Sequence, residues 1–177
     1  MTLTLLGLAG SLRRGSINQQ LLTAMAMRAP TEIGFQLFDG LGAIPVFNED
    51  LETPTVPAGV QSLSRAVQAA DVLVISTPEY NQSLPGVVKN AIDWLSRSPD
   101  QPLGGKPCVV TGATVGKWGT RIAQQQLRTV LTTCGARVLT GPALYVADGA
   151  MPTEKQSELD VFLNAIVTDF RKMRPLA

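Results

Sequence analysis

Three short loops carry the residues whose types could do chemistry. The first is Gly10-Ser-Leu-Arg-Arg-Gly-Ser-Ile-Asn18, which joins an apolar run to an amphipathic segment. Its far end is therefore the start of a helix, where unpaired N–H groups and the helix dipole attract an anion. Ser16 and Asn18 both suit the N-cap region. Gly10 and Gly15 have the spacing of a triphosphate-binding GxxxxGK[ST] loop, but Ser16 stands where the lysine belongs and Ile17 where the Ser/Thr belongs. The dinucleotide pattern GxGxxG is absent too. What remains is a set of hydroxyls (Ser11, Ser16), an amide (Asn18) and a guanidinium (Arg13, with Arg14 beside it). Several donors with a guanidinium suit a dianionic phosphate monoester. A solvated polar loop before an ordinary capped helix is the competing reading.

The second loop is Thr77-Pro-Glu-Tyr-Asn-Gln-Ser-Leu-Pro-Gly86. Pro78 and Pro85 restrict the backbone, so Glu79, Tyr80 and Asn81 are held in one presentation. Backbone amides fixed in this way can address the polar edge of a planar ring, with Tyr80 packed on a face. The alternative is a rigid turn whose tyrosine caps a sheet. The third loop, Gly112-Ala-Thr-Val-Gly116 followed by Lys-Trp-Gly-Thr, is glycine-rich. Trp118 there has two readings, flanking a ring or sitting in a subunit interface, and Lys117 reads as a solvated side chain.

Composition narrows the chemistry. The chain has no histidine, which excludes Ser-His-Asp triads, Cys-His pairs, HExxH zinc sites and imidazole acid–base catalysis together. Cys108 and Cys134 form neither a disulfide framework nor a CxxC pair, and both read as small apolar fillers. No metal site is expected. Fifteen basic against fourteen acidic residues leave a net charge of +1, so nucleic-acid binding by bulk charge is not expected. No apolar stretch approaches the roughly 18 residues that cross a bilayer, so membrane insertion is not expected. The N-terminal run is apolar first and charged afterwards, the reverse of a secretory signal, and a cytoplasmic protein is the expectation.

The loops need elements to hold them. Leu3–Leu8, Gly34–Phe38, Asp71–Ser76 and Pro107–Gly112 are short apolar runs of strand length, with a fifth at Val138–Leu139 extending toward 144–146. Between and after them, helical periodicity marks 17–28, 60–70, 86–95, 121–134 and 154–172. Met25 and Met27 read as packing residues of the first helix, Trp94 as core or subunit interface, and Gly135 as the C′ stop of the fourth. The proline-rich stretch 39–57 is too long for a plain connector and reads as a functional or packing loop. Uniformly apolar strands alternating with helices mean a parallel sheet covered on both faces. The expectation is a single α/β domain over 1–177, a three-layer doubly wound five-stranded sheet. Ligands of such folds sit beyond the carboxyl ends of the strands, where the three loops lie.

The first loop followed by TPEYNxSxPGxxKNAIDWLSR resembles the NADPH-dependent FMN reductase family, in its branch of chromate and quinone reductases and azoreductases. The resemblance runs from the first strand to about Leu131 and implies a flavodoxin-like fold with strand order 2-1-3-4-5. It also implies a bound FMN with NADPH or NADH as co-substrate. Ser11, Arg13, Ser16, Ile17 and Asn18 would surround the FMN phosphate. Pro78, Glu79, Tyr80 and Asn81 would line the isoalloxazine largely through backbone groups, and Gly112, Ala113, Thr114 and Gly116 would close over the ring and ribityl side. The implied activity is ping-pong hydride transfer to a small-molecule acceptor: a quinone, azo compound, flavin or metal oxyanion. No side chain is assigned as catalytic acid or base. The alternative is a non-enzymatic FMN-binding electron carrier or regulatory module. A homodimer or homotetramer is expected. In the fourth helix Gln124-Gln125-Gln126 stands where chromate-reducing relatives carry a tyrosine, and Arg121 is offset by one residue, so chromate reduction and a tyrosine-mediated contact are not carried over.

Overall fold

A computed structural model describes residues 2–52, 54–141, 143–150 and 152–173. Its strands are β1 (Leu3–Ala9), β2 (Ile33–Phe38), β3 (Val72–Ser76), β4 (Pro107–Ala113), β5 (Arg137–Val138) and β6 (Tyr145–Val146). Its helices are α1 (Ile17–Arg28), α2 (Ala58–Ala69), α3 (Gly86–Arg97), α4 (Arg121–Thr133) and α5 (Gln156–Met173). All strand pairs are parallel, in the order β2-β1-β3-β4-β5, with β6 also paired to β4. This is the flavodoxin-like order expected from the sequence, with its switch point between β1 and β3.

Successive side chains of a strand point to opposite faces, and here both faces are dry. Leu6, Leu8, Leu73, Ile75 and Val110 pack under α2, α3 and α4 with Leu63, Val67, Ile92 and Leu127. Leu5, Val72, Val74 and Val109 pack under α1 and α5 with Leu22, Met25, Phe162 and Ile166. Met25 is fully buried as expected, but Met27 is 83% exposed, because it falls on the outer face of α1. Arg28 ties α1 to α5 through hydrogen bonds to Asp160, which hold that carboxyl below its ordinary range. The tie is complete at neutral pH and weakens as pH falls through the lowered Asp160 value.

Within the stretch 39–57, residues 45–47 pack against α3. Asn90 and Trp94 of α3 both donate to the Pro45 carbonyl at 2.9 Å, the Asn90 carboxamide accepts from the Phe47 N–H, and Phe47 meets Trp94 edge to face. Trp94 is thus a core residue whose N–H has found a partner. Gly135, with φ +82°, closes α4: its N–H bonds the Thr132 carbonyl and that of Ala136 bonds Leu131, a Schellman pair.

The fifth strand is broken where the sequence suggested continuity. β5 pairs with the start of β4 and β6 with its end, and among the described residues no strand lies beside the middle of that β4 edge. Side chains of the neighbouring elements occupy the gap. Arg128 of α4 donates to the Leu139 and Val110 carbonyls at 3.2 Å each, and Thr111 and Gln124 donate to the Leu144 carbonyl. Replacing Arg128 by Met keeps the bulk and leaves two half-buried carbonyls without their donor, a loss of about 1–3 kcal/mol. Equilibrium urea unfolding measures it.

Candidate active site

The carboxyl ends of β1, β3 and β4 carry the three loops, and one buried side chain joins them. Asn18, 2% exposed, donates from Nδ2 to the Ala113 carbonyl at 2.9 Å. Its Oδ1 accepts from the Ala113 N–H at 2.9 Å and from the Ser76 hydroxyl at 2.8 Å. The first turn of α1 is thereby fastened to the ends of β3 and β4. This differs from the expectation of an Asn18 amide facing an anion: the carboxamide points inward.

Ser16 is the N-cap of α1, accepting from the Gln19 N–H at 3.3 Å. Gly15 takes φ +68°, which lets the chain turn into the helix. The N–H groups of Ile17 and Asn18, at the first helical positions, have no intrahelical acceptor. Arg13 makes only a 3.5 Å contact with the Arg14 carbonyl and has no carboxylate partner among the described residues. The loop therefore presents the partly exposed Ser11 hydroxyl, helix-terminal amides without an intrahelical acceptor and an exposed guanidinium with no carboxylate partner, while Ser16 is buried at the cap. A groove of about 660 Å³ runs along it from Ala9 to Gln20, with residues 37–42 as its opposite wall.

Two glycines set how close the loops approach. A Cβ on Gly10 would lie 2.6 Å from a Val88 methyl, and one on Gly112 would lie 2.1 Å from the Thr77 carbonyl oxygen. Gly112 and Ala113 are inside β4 and buried, so the third loop starts at Thr114, two residues later than the sequence suggested. That loop is backed by the chain after β6: Thr114 N–H bonds the Val146 carbonyl, and the Asp148 and Gly149 N–H groups bond the carbonyls of Gly116 and Thr114. Arg121 lies over the Tyr145 ring, 4.2 Å from its centroid.

The second loop is a tight hairpin. Tyr80 and Ser83 exchange both backbone hydrogen bonds at 3.0 Å, with Asn81 at φ 51° and Gln82 at φ 58° between them. Two consecutive positive φ values identify a type I′ turn. Glu79 does not face the loop's open side. Its carboxylate accepts from the Ile122 and Ala123 N–H groups at 2.9 Å each, capping the N-terminus of α4 that Thr120 leaves without a side-chain cap. On the other side of the turn, Gln126 donates to the Gln82 carbonyl and accepts from Ser83 and Leu84. Pro78 is buried at the head of the loop, and Tyr80 is half exposed with its hydroxyl 3.5 Å from that of Ser11. Ser11, Arg13, Ser16, Tyr80, Asn81, Thr114 and Gly116 thus lie on loops at one edge of the sheet, and Asn18, Glu79, Gly112 and Ala113 build the frame behind them.

Sequence reasoning missed the side-chain roles of Asn18, Glu79 and Gln126, and the turn type. Asn81 was a signal for a type I′ turn, but Gln82 occupies the position where glycine would have announced it. Burial pushes the Cys108 thiol up to about 12 and raises that of Cys134, so neither is a thiolate nucleophile at neutral pH. Among the described residues no three His, Cys, Asp or Glu side chains cluster as a metal site would require, and no helix is long and apolar enough to cross a membrane.

Residues 3–150 match the profile of the NADPH-dependent FMN reductase family. The chain belongs to that family. It is 39% identical over 154 residues to an NAD(P)H-dependent FMN reductase of Pseudomonas aeruginosa, covering 87% of this chain and 83% of that one. It is 38% identical over 173 residues to a 2-hydroxy-1,4-benzoquinone reductase of a Burkholderia species, covering 97% and 90%. Among solved structures it is similar to a flavoenzyme NAD(P)H:(acceptor) oxidoreductase of Paracoccus denitrificans, with TM-score 0.86 and 33% identity over 97% of this chain and 98% of that one. In this member of the family, replacing Glu79 by Gln keeps the shape but removes the charge that caps α4. The expected cost is about 1 kcal/mol of stability, read from urea unfolding of the FMN-free protein.

Proposed function

We propose that this protein is an FMN-dependent NAD(P)H oxidoreductase that reduces quinones and related two-electron acceptors. The observation that carries the reading is the donor set of the first loop. A guanidinium without a carboxylate, free helix-terminal amides and hydroxyls fit the FMN phosphate, and the preformed hairpin after β3 fits a planar ring. Ser11, Arg13, Ser16 and the N–H groups of Ile17 and Asn18 hold the phosphate. Backbone groups of Pro78, Glu79, Tyr80 and Asn81 align the isoalloxazine edge, Tyr80 flanks it, and Thr114 and Gly116 border the ribityl side through their loop. Gly112 and Ala113 contribute by setting that loop's distance from β3.

A bound flavin would supply acceptance of a hydride from NAD(P)H and delivery of its two electrons and proton to the second substrate, with one further proton from solvent. The chain's task is binding and orientation, which is consistent with a site holding no histidine and no activated thiol. Nicotinamide and acceptor use the same open cleft in turn, a ping-pong exchange expected to give parallel lines in initial-rate plots. The quinone preference takes support from the Burkholderia relative's name. Exposed Leu12, Val115 and Trp118 at the same sheet edge support a homodimer or homotetramer, which light scattering measures. A cytoplasmic location is part of the same proposal.

The test compares FMN with riboflavin, which lacks the phosphate. Arg13→Ala is expected to weaken FMN binding by about 2 kcal/mol, or some thirtyfold, and to leave riboflavin binding unchanged. NADPH oxidation with benzoquinone should persist when FMN is saturating. Equal losses for both flavins would contradict the phosphate assignment.

A further inference from the structure

We propose that Gln126 is a positioning residue for the flavin: its carboxamide holds the hairpin after β3 in a strained backbone conformation and so sets where the ring-facing amide of Asn81, at the turn, stands. The proposal rests on the FMN reading above. Gln82 sits at the second central position of a type I′ turn, at φ 58°, a conformation that glycine adopts freely and a long side chain does not. Strain of this kind persists only where the surroundings over-determine it. Packing does not do so here, because Asn81 and Gln82 are exposed, and a hairpin with one pair of mutual backbone bonds is marginal by itself.

The holding contacts come from α4. Gln126 Nε2 donates to the Gln82 carbonyl at 3.2 Å, at the strained residue itself. Its Oε1 accepts from the Ser83 hydroxyl at 2.8 Å and lies 3.4 Å from the Leu84 N–H. Both ends of one carboxamide thus grip the trailing arm of the hairpin. The leading arm is fastened separately, by the Glu79 carboxylate on the amides of Ile122 and Ala123. Without Gln126 the leading arm stays in place and the trailing arm is released, so the turn can relax away from its positive φ values while the helix and sheet remain. The competent hairpin then becomes one conformer among several, and flavin affinity falls by the fraction of molecules that retain it. A misplaced Asn81 amide, at the turn itself, also stabilises the reduced ring less than a correctly placed one, which moves the reduction potential of the bound flavin to a more negative value.

The experiment compares wild type, Gln126→Ala and the double variant Gln126→Ala/Gln82→Gly. Flavin dissociation constants are read from fluorescence quenching of FMN and of riboflavin, the potential from equilibration with a reference dye, and the melting temperature from FMN-free protein. Gln126→Ala is expected to bind both flavins about tenfold more weakly, to shift the potential negative and to melt near the wild type. Adding Gln82→Gly, which makes the turn the favoured Asn-Gly, is expected to restore affinity and potential without the clamp. Unchanged affinity and potential in Gln126→Ala would overturn the proposal. So would a large fall in melting temperature that Gln82→Gly does not rescue, which would make Gln126 a fold residue. A wild-type protein that binds neither flavin would overturn the FMN reading and this proposal with it, a result visible before any variant is made.

Discussion

One carboxamide sets the spacing on which the site depends. The bonds of Asn18 to Ser76 and to both backbone groups of Ala113, all between 2.8 and 2.9 Å, join the start of α1 to the ends of β3 and β4. Ends of parallel strands leave backbone groups unpaired, and burying them without partners is costly. Asn18 satisfies such groups and fixes the distance between the first loop and the other two loops. The glycines at positions 10 and 112 then let the loops approach closer than a Cβ would permit. The helix-terminal amides and the hairpin therefore stand in a constant relation before any ligand arrives, which lowers the ordering cost of binding.

Much of the frame was legible in the sequence because it is locally encoded. Apolar runs such as Asp71–Ser76 and the periodic stretch of α5 announce buried strands and an amphipathic helix within a dozen residues, and Gly135 marks a helix end by its own conformational needs. The loops could be found because a doubly wound sheet places its ligands at one edge. What stayed hidden depends on partners distant in the chain. Asn18 looks like a capping residue until Ala113, 95 residues later, is seen to be its partner. Glu79 looks like a ligand-facing carboxylate until α4 is placed against it. The break between β5 and β6 was masked by the apolar residues on both sides, and the hydrogen bonds of Arg128, Thr111 and Gln124 into the gap explain how the edge tolerates it.

The division of labour among side chains follows from the same geometry. Groups with a fixed internal partner, including Asn18, Glu79 and Gln126, serve the frame. Groups left without one, chiefly Arg13 and the first amides of α1, remain available to a ligand. A chain with no histidine and with both thiols held protonated has little reactive chemistry of its own to offer in electron transfer.

The most direct test of this account is the visible absorption spectrum of the purified protein, reconstituted with FMN and titrated with NADPH in the absence of oxygen. The flavin spectrum should be bleached by one equivalent of NADPH and recover on addition of one equivalent of benzoquinone. A protein that takes up no FMN, or whose bound flavin keeps its full absorbance in excess NADPH and NADH, would contradict the account.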